Sequence, residues 1–278
     1  MLASGIPSTN INQTPIYSFP NSFLMPMLLA FLLTASCAGN KSKAADDLYP
    51  TEDAIVKYQV DWQKGLYIQR IDQFKKEPIG GNKIVFLGNS LTEGGGNWNE
   101  KFSTPNIVNR GISGDITEGV LVRLKEIYYY QPIAVFLLIG INDIFNADHP
   151  NRNEITPEYV AQNIVTIADE IENQSPKTEV FIQTVLPVNK DIYFQAKGWF
   201  PAHPVALNRQ IIEINQSLQD QTKHPVIDLH SAFSDSLGNL KDAYTTDGVH
   251  LSEAGYQQWV TLLKKEVIIF SETSLEGN

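Results

Sequence analysis

Cysteine is almost absent from this 278-residue chain. Cys37 is the only one, which excludes an intramolecular disulfide, a cysteine-rich metal site and a CxxC redox pair. Histidine is scarce as well: His149, His203, His224, His230 and His250 are the five, and none falls in HExxH or another zinc-ligand spacing. No metal and no other cofactor is therefore expected. Basic charge is in deficit, with 21 Lys and Arg against 31 Asp and Glu for a net charge of −10. A phosphate backbone would find no basic footprint here, so nucleic acid is excluded as an expected partner. Long apolar runs are also missing except for residues 23–33 (FLMPMLLAFLL), too short to span a bilayer. The glycine run at 94–96 leads into no GxxxxGK[ST] phosphate loop. What the chain does have is 42% hydrophobic residues and enough length to bury a substantial core, which rules out disorder for most of it.

The apolar run at 23–33 fits the h-region of a signal peptide. The residues that follow, Leu33-Thr34-Ala35-Ser36-Cys37, lead through small side chains into the sole cysteine and resemble the lipobox of a bacterial lipoprotein signal. That resemblance implies that residues 1–36 are removed and that Cys37 becomes the lipidated first residue of an envelope lipoprotein, with the membrane a partner only through this anchor. A soluble periplasmic protein is the alternative. Residues 37–53 are polar and without periodicity, as a tether would be, and residues 54–278 then form one domain with no internal repeat.

Beyond the tether, apolar runs alternate with amphipathic stretches, the pattern of βαβ units and a parallel sheet covered on both faces. Residues 54–74 read as a leading helix, and KIVFL at 83–87 as the first strand. Later strands are expected at 107–109, 134–139, 179–185 and 226–229, with helices near 117–130, 157–173, 205–220 and 252–268. Five strands with crossover helices predict an α/β fold, a flavodoxin-like three-layer α/β/α sandwich. Such sheets bind ligands outside the carboxyl ends of their strands.

The chemically suggestive residues fall at those ends. Ser90 follows strand one, Gly114 follows strand two, Asn142 follows strand three, and Asp247 with His250 come after strand five. A serine nucleophile needs an imidazole to take its proton, a carboxylate to orient that imidazole, and donors aimed at the developing oxyanion. The three-residue spacing of Asp247 and His250 lets one bend bring the carboxylate to Nδ1 while Nε2 faces Ser90. The backbone N–H groups of Ser90 and Gly114 and the amide of Asn142 could supply oxyanion donors. Asp228, at the end of strand five, is the reserve orienter for His250.

Four blocks in order, VFLGNSLTEGG, NRGISGD, IGIND and DGVHLSEAGY, resemble the SGNH or GDSL-type esterases and lipases. The wording is most similar to the branch holding platelet-activating-factor acetylhydrolase catalytic subunits and carbohydrate or sialate O-acetylesterases. The resemblance implies metal-free hydrolysis of short-chain, chiefly acetyl, esters on a carbohydrate or other small substrate. It implies the same roles: Ser90 nucleophile, His250 base, Asp247 its orienter, Gly114 and Asn142 in the oxyanion hole. Asn89 stands where the GDSL pattern carries aspartate, read as a subfamily feature. A GxSxG elbow is absent, which makes the α/β-hydrolase family a poorer match. The segment 187–204 reads as a long βα connecting loop rich in aromatics, with Trp199 and Phe200, and either forms a substrate wall or packs over the sheet edge. A lysophospholipase or thioesterase on the same fold, and a non-catalytic carbohydrate-binding lipoprotein, remain the alternatives.

Overall fold

The computed structural model describes residues 47–146 and 149–276. The expected signal peptide and Cys37 lie outside the described residues.

Apolar runs too short to be helices become strands when flanking helices bury both of their faces. Among the described residues five do so: β1 (Ile84–Gly88), β2 (Ile107–Gly111), β3 (Ala134–Leu138), β4 (Glu179–Gln183) and β5 (Val226–Ile227). They pair in the order β2-β1-β3-β4-β5, all parallel, with Ile84 opposite both Ile107 and Ala134 and Val135 opposite Val180. This is the flavodoxin-like order, and its direction of winding reverses between β1 and β3. The crevice beyond the carboxyl ends of those two strands is where such a sheet leaves room for a ligand.

The helices of the described residues are α1 (Asp61–Lys76), α2 (Ser90–Gly94), α3 (Trp98–Phe102), α4 (Thr117–Val122), α5 (Lys125–Tyr130), α6 (Ile141–Phe145), α7 (Pro157–Gln174), α8 (Lys190–Lys197), α9 (Leu207–Gln221), α10 (Leu229–Phe233) and α11 (Glu253–Glu276). Period-two alternation divides each strand between two cores. Val85, Leu87, Val135, Leu137, Val180 and Ile182 pack with Ile164, Ile167 and Ile171 of α7 and Ile211, Ile214 and Leu218 of α9. Ile84, Phe86, Ala134, Phe136 and Leu138 take the other face with Trp98 of α3 and Trp259, Leu263 and Val267 of α11. There Phe86 lies stacked between Trp98 and Phe136, at centroid distances of 4.5 and 5.2 Å. The i, i+4, i+7 spacing of Val160, Ile164, Ile167 and Ile171 explains why α7 is a helix, and Thr156 starts it by accepting the Tyr159 N–H at 3.1 Å ahead of Pro157. Truncating fully buried Ile171 to alanine would cost about 2–5 kcal/mol.

Local expectations and structure part company in four places. The leading helix begins at Asp61 rather than at 54, because Tyr58 adopts a left-handed φ of 64° that no helix continues through. The stretch 117–130 is two helices, broken where the Arg123 guanidinium is drawn inward onto Asp115 and the Gly88 carbonyl. Segment 187–204 contains α8. Within 37–53, only 47–53 are described, and Leu48 and Tyr49 are buried against Ile71 and Phe74 of α1, with the Tyr49 hydroxyl donating to Glu126 at 2.7 Å.

Candidate active site

Ser90 is the first residue of α2, immediately beyond the end of β1. The turn is tight: a Cβ on Gly88 would lie 2.2 Å from the Leu138 carbonyl oxygen, so only glycine lets β1 end this close to β3. Asn89 caps α2, its Oδ1 accepting the Leu91 N–H at 3.0 Å, which leaves the Ser90 hydroxyl free of capping duty. From β2, the Asn109 amide donates to the carbonyls of Thr92, Glu93 and Gly96 at 3.0–3.1 Å and closes the other end of this one-turn helix.

His250 Nε2 lies 3.2 Å from Ser90 Oγ, and His250 Nδ1 lies 2.9 Å from Asp247 Oδ2. The remaining carboxylate oxygen, Oδ1, accepts the backbone N–H groups of Val249 at 3.1 Å and His250 at 2.8 Å. Burial by itself would raise the Asp247 carboxyl. The bonds from the His250 ring and backbone, the charge of the imidazole and the Val249 N–H outweigh it and hold the group down at about 2. An ionised Asp247 keeps the proton of a neutral imidazole on Nδ1 and turns the Nε2 lone pair toward Ser90. Asp228 is engaged elsewhere: it caps α10 by accepting the Ser231 N–H at 3.0 Å and also accepts from Thr184.

Gly114 sits in a turn closed by the Asp115 N–H on the Ile112 carbonyl at 3.0 Å, with a φ of +78° that favours glycine. This loop is pinned beside α2, because Glu93 accepts both the N–H and the hydroxyl of Ser113 at 2.6 and 2.7 Å. Asn142, in the first turn of α6, donates one amide N–H to the Asp115 carbonyl at 2.9 Å, which leaves the other for a bound oxygen. Arg123 ties the arrangement together from below, donating to the Gly88 carbonyl and pairing with Asp115 at 2.9 Å. Burial pushes the Asp115 carboxyl up to about 6 against the pull of Arg123, and pushes Asp143, which accepts the Thr117 N–H and hydroxyl, up to about 7.

The rim is open, with nearly half of the His250 side chain exposed. Trp199 is half exposed and meets Tyr193 edge to face with ring centroids 5.5 Å apart; Phe200 is the more buried of the pair, against Phe145 and Tyr193. Two neighbours of the site escaped sequence reasoning. Lys197 places Nζ 3.4 Å from Asp247 Oδ2. Trp62, 59% exposed, lies so close to Gly114 that a Cβ there would come within 2.6 Å of its ring. A lone tryptophan in a polar helix start is the one signal that could have singled out Trp62.

Among the described residues, one cluster has metal-ligand chemistry, Asp169, Glu172 and His224. It joins the end of α7 to the residue run before the edge strand β5, away from the β1 end that carries Ser90, and the Lys223 ammonium already pairs with both carboxylates. A cavity of about 680 Å³ lies along the outer edge of β2, lined by Arg70, Lys83, Asn99 and Arg110, and includes none of Ser90, Asp247 and His250.

Residues 86–258 match the model of the GDSL-like lipase/acylhydrolase family. The chain is 29% identical over 191 residues to the platelet-activating factor acetylhydrolase IB subunit alpha1 of Homo sapiens, an alignment covering 66% of this chain and 73% of that one. Among solved structures, a proposed acylhydrolase from Bacteroides fragilis superposes with a TM-score of 0.61 at 26% identity, over 78% of this chain and 100% of that one. An acetyl-xylooligosaccharide esterase from Geobacillus stearmophilus shares the fold, with a TM-score of 0.53 at 19% identity over 68% of this chain and 95% of that one.

Proposed function

Because the chain belongs to the GDSL-like lipase/acylhydrolase family and is a carboxylic ester hydrolase, we propose that it removes acetyl groups from carbohydrate through Ser90, His250 and Asp247. The observation that carries this reading is the pair of hydrogen bonds running from Ser90 Oγ to His250 and on to Asp247, at 3.2 and 2.9 Å. In the proposed reaction His250 Nε2 takes the Ser90 proton as Oγ attacks the ester carbonyl carbon. The carbonyl oxygen becomes an oxyanion and is met by the N–H groups of Ser90 and Gly114 and the free amide N–H of Asn142. Collapse expels the sugar alcohol, which takes the proton from His250 and leaves an acetyl-Ser90 ester. Water then repeats the sequence in reverse, deprotonated by His250, and releases acetate.

The acetyl preference draws support from the relative named an acetylhydrolase. For a carbohydrate alcohol the support is the open rim and the two exposed indoles, Trp62 and Trp199, flat apolar faces suited to a sugar ring. The location we propose is the bacterial envelope, with Cys37 lipidated. Replacing Cys37 with alanine in a bacterial host should then abolish incorporation of labelled palmitate.

A series of p-nitrophenyl esters from acetyl to octanoyl tests the acyl preference, and acetate release from acetylated polysaccharides and sialic acids tests the alcohol. kcat/KM should fall as the chain lengthens. A rise toward octanoyl, with turnover of lysophospholipid, would replace this reading with the lipase one. A folded Ser90→Ala protein should be inactive on all of them and resist labelling by an organophosphonate; activity above about a tenth of wild type would remove Ser90 as nucleophile.

A further inference from the structure

A single carboxylate oxygen, Asp247 Oδ2, receives two cationic or potentially cationic groups: His250 Nδ1 at 2.9 Å and Lys197 Nζ at 3.4 Å. Lys197 is not a loose surface side chain that happens to fall there. It is the last residue of α8, and α8 is fastened to the turn carrying Asp247 and His250 at its other end too. The Asn189 N–H donates to the Gly248 carbonyl at 2.7 Å, and Asn189 Oδ1 caps α8 through the Ile192 N–H. Gly248 itself, at a φ of +88°, is pressed so tightly against this helix that a Cβ would meet the Asn189 carbonyl oxygen at 2.3 Å and the Tyr193 nitrogen at 2.7 Å. Directly after Lys197 the chain reverses at Gly198, φ +77°, into Trp199 and Phe200. Lys197 thus stands between the acid and the aromatic rim.

Resting on the reading of Ser90, His250 and Asp247 given above, we propose that Lys197 is a positioning residue for ester hydrolysis: it anchors the Asp247 carboxylate against His250 Nδ1 and shares the charge that this carboxylate presents to the imidazole. A carboxylate whose charge is shared with an ammonium stabilises an imidazolium less than an undivided one does. The other titratable or charged groups around this turn do not compete for the role. From α8, the Tyr193 phenol is pushed up by burial and by Asp247, so it is uncharged near neutrality. Asp242, in the 3₁₀ turn before it, is held by the Asn189 amide at 3.1 Å, and Glu253 at the head of α11 is paired with Lys101 at 2.9 Å. Ser90 faces it from α2. Among the described residues, Lys197 is the cation on Asp247.

The Lys197 side chain is 45% exposed, so solvent screens it and the expected effect is modest. The test is kcat/KM for p-nitrophenyl acetate as a function of pH at low ionic strength, in the full-length protein and its Lys197 variants. Lys197→Met should move the acid limb of the profile upward by about half a pH unit. Lys197→Glu should move it further in the same direction, and Lys197→Arg should restore the wild-type position. A purely structural contact predicts losses of activity or melting temperature without movement of the limb. The proposal is overturned if Lys197→Met and Lys197→Glu both leave the limb in place, or if Lys197→Arg shifts it as far as Lys197→Met. Should Lys197→Met fail to fold, Lys197→Gln answers the same question with a polar side chain of the same reach. Failure of the underlying reading has a separate sign, retention of activity by folded Ser90→Ala and His250→Ala proteins.

Discussion

Replacing Asp247 with asparagine tests the orientation of the imidazole with almost no change in shape. The structure dictates which way the new amide must face. Oδ1 accepts two backbone N–H groups, from Val249 and His250, at 3.1 and 2.8 Å. An amide nitrogen turned toward them would oppose donor to donor, so the asparagine oxygen must stay there and its NH₂ must point at His250 Nδ1. Nδ1 then has to accept, the ring proton moves to Nε2, and the lone pair that faced Ser90 Oγ across 3.2 Å is gone. An imidazole in the wrong tautomer cannot take the serine proton, and the loss expected from such a change is about 10³–10⁴ in kcat, or about 4–5.5 kcal/mol of transition-state stabilisation. The assay is p-nitrophenyl acetate hydrolysis between about pH 7 and 8, where Asp247 is ionised, paired with a melting curve to show that the variant is folded. A folded Asp247→Asn enzyme with kcat within about tenfold of wild type would refute the claim that Asp247 sets the tautomer of His250.

Asn142→Ala should lower kcat about a hundredfold with little change in KM, since a preorganised donor acts mainly on the transition state; an unchanged kcat would leave Asn142 only its bond to the Asp115 carbonyl. Gly248→Ala adds a Cβ 2.3 Å from the Asn189 carbonyl oxygen at a left-handed φ, so the protein should lose about 1–3 kcal/mol or more of stability by urea denaturation, and a neutral result would mean that α8 is free to back away. Asp247 is depressed in the folded state, so its stabilising contribution is complete above the ordinary aspartate value near 4 and is withdrawn as pH falls toward about 2. The urea-midpoint gap between wild type and Asp247→Asn should accordingly narrow from about pH 5 to about pH 3; a constant gap would contradict it.

Much of this protein is legible in one dimension, and the reason is periodicity. Strands covered on both faces are continuous apolar runs, so KIVFL and AVFLL declare themselves, and α7 shows its buried stripe through Val160, Ile164, Ile167 and Ile171. Once the strands are placed, parallel topology puts Ser90 and Asn142 at the carboxyl ends of two adjacent strands, however far apart they are in sequence. The Asp247–His250 pair is legible for a different reason, because its geometry is made by one turn of four residues.

The parts that stayed hidden depend on contacts between segments with no shared pattern. Nothing in the sequence around Arg123 announces that its guanidinium will be buried on Asp115 and Gly88 and break a helix whose apolar spacing runs on unbroken. The segment 187–204 reads as a loop with aromatics, and only the packing of Gly248 against Asn189 and Tyr193 makes its first half a support for the site. Lys197 is one exposed lysine among others in the sequence, and Trp62 one tryptophan in a polar helix start. What distinguishes them is a distance, 3.4 Å to a carboxylate in one case and van der Waals contact with Gly114 in the other. Local spacing determines which elements form and which chemistry each strand end can carry. Which side chains from distant elements then lean on that chemistry is decided by how those elements dock, because the close-packed interior fixes where α1 and α8 lie against the strand ends and sequence separation does not.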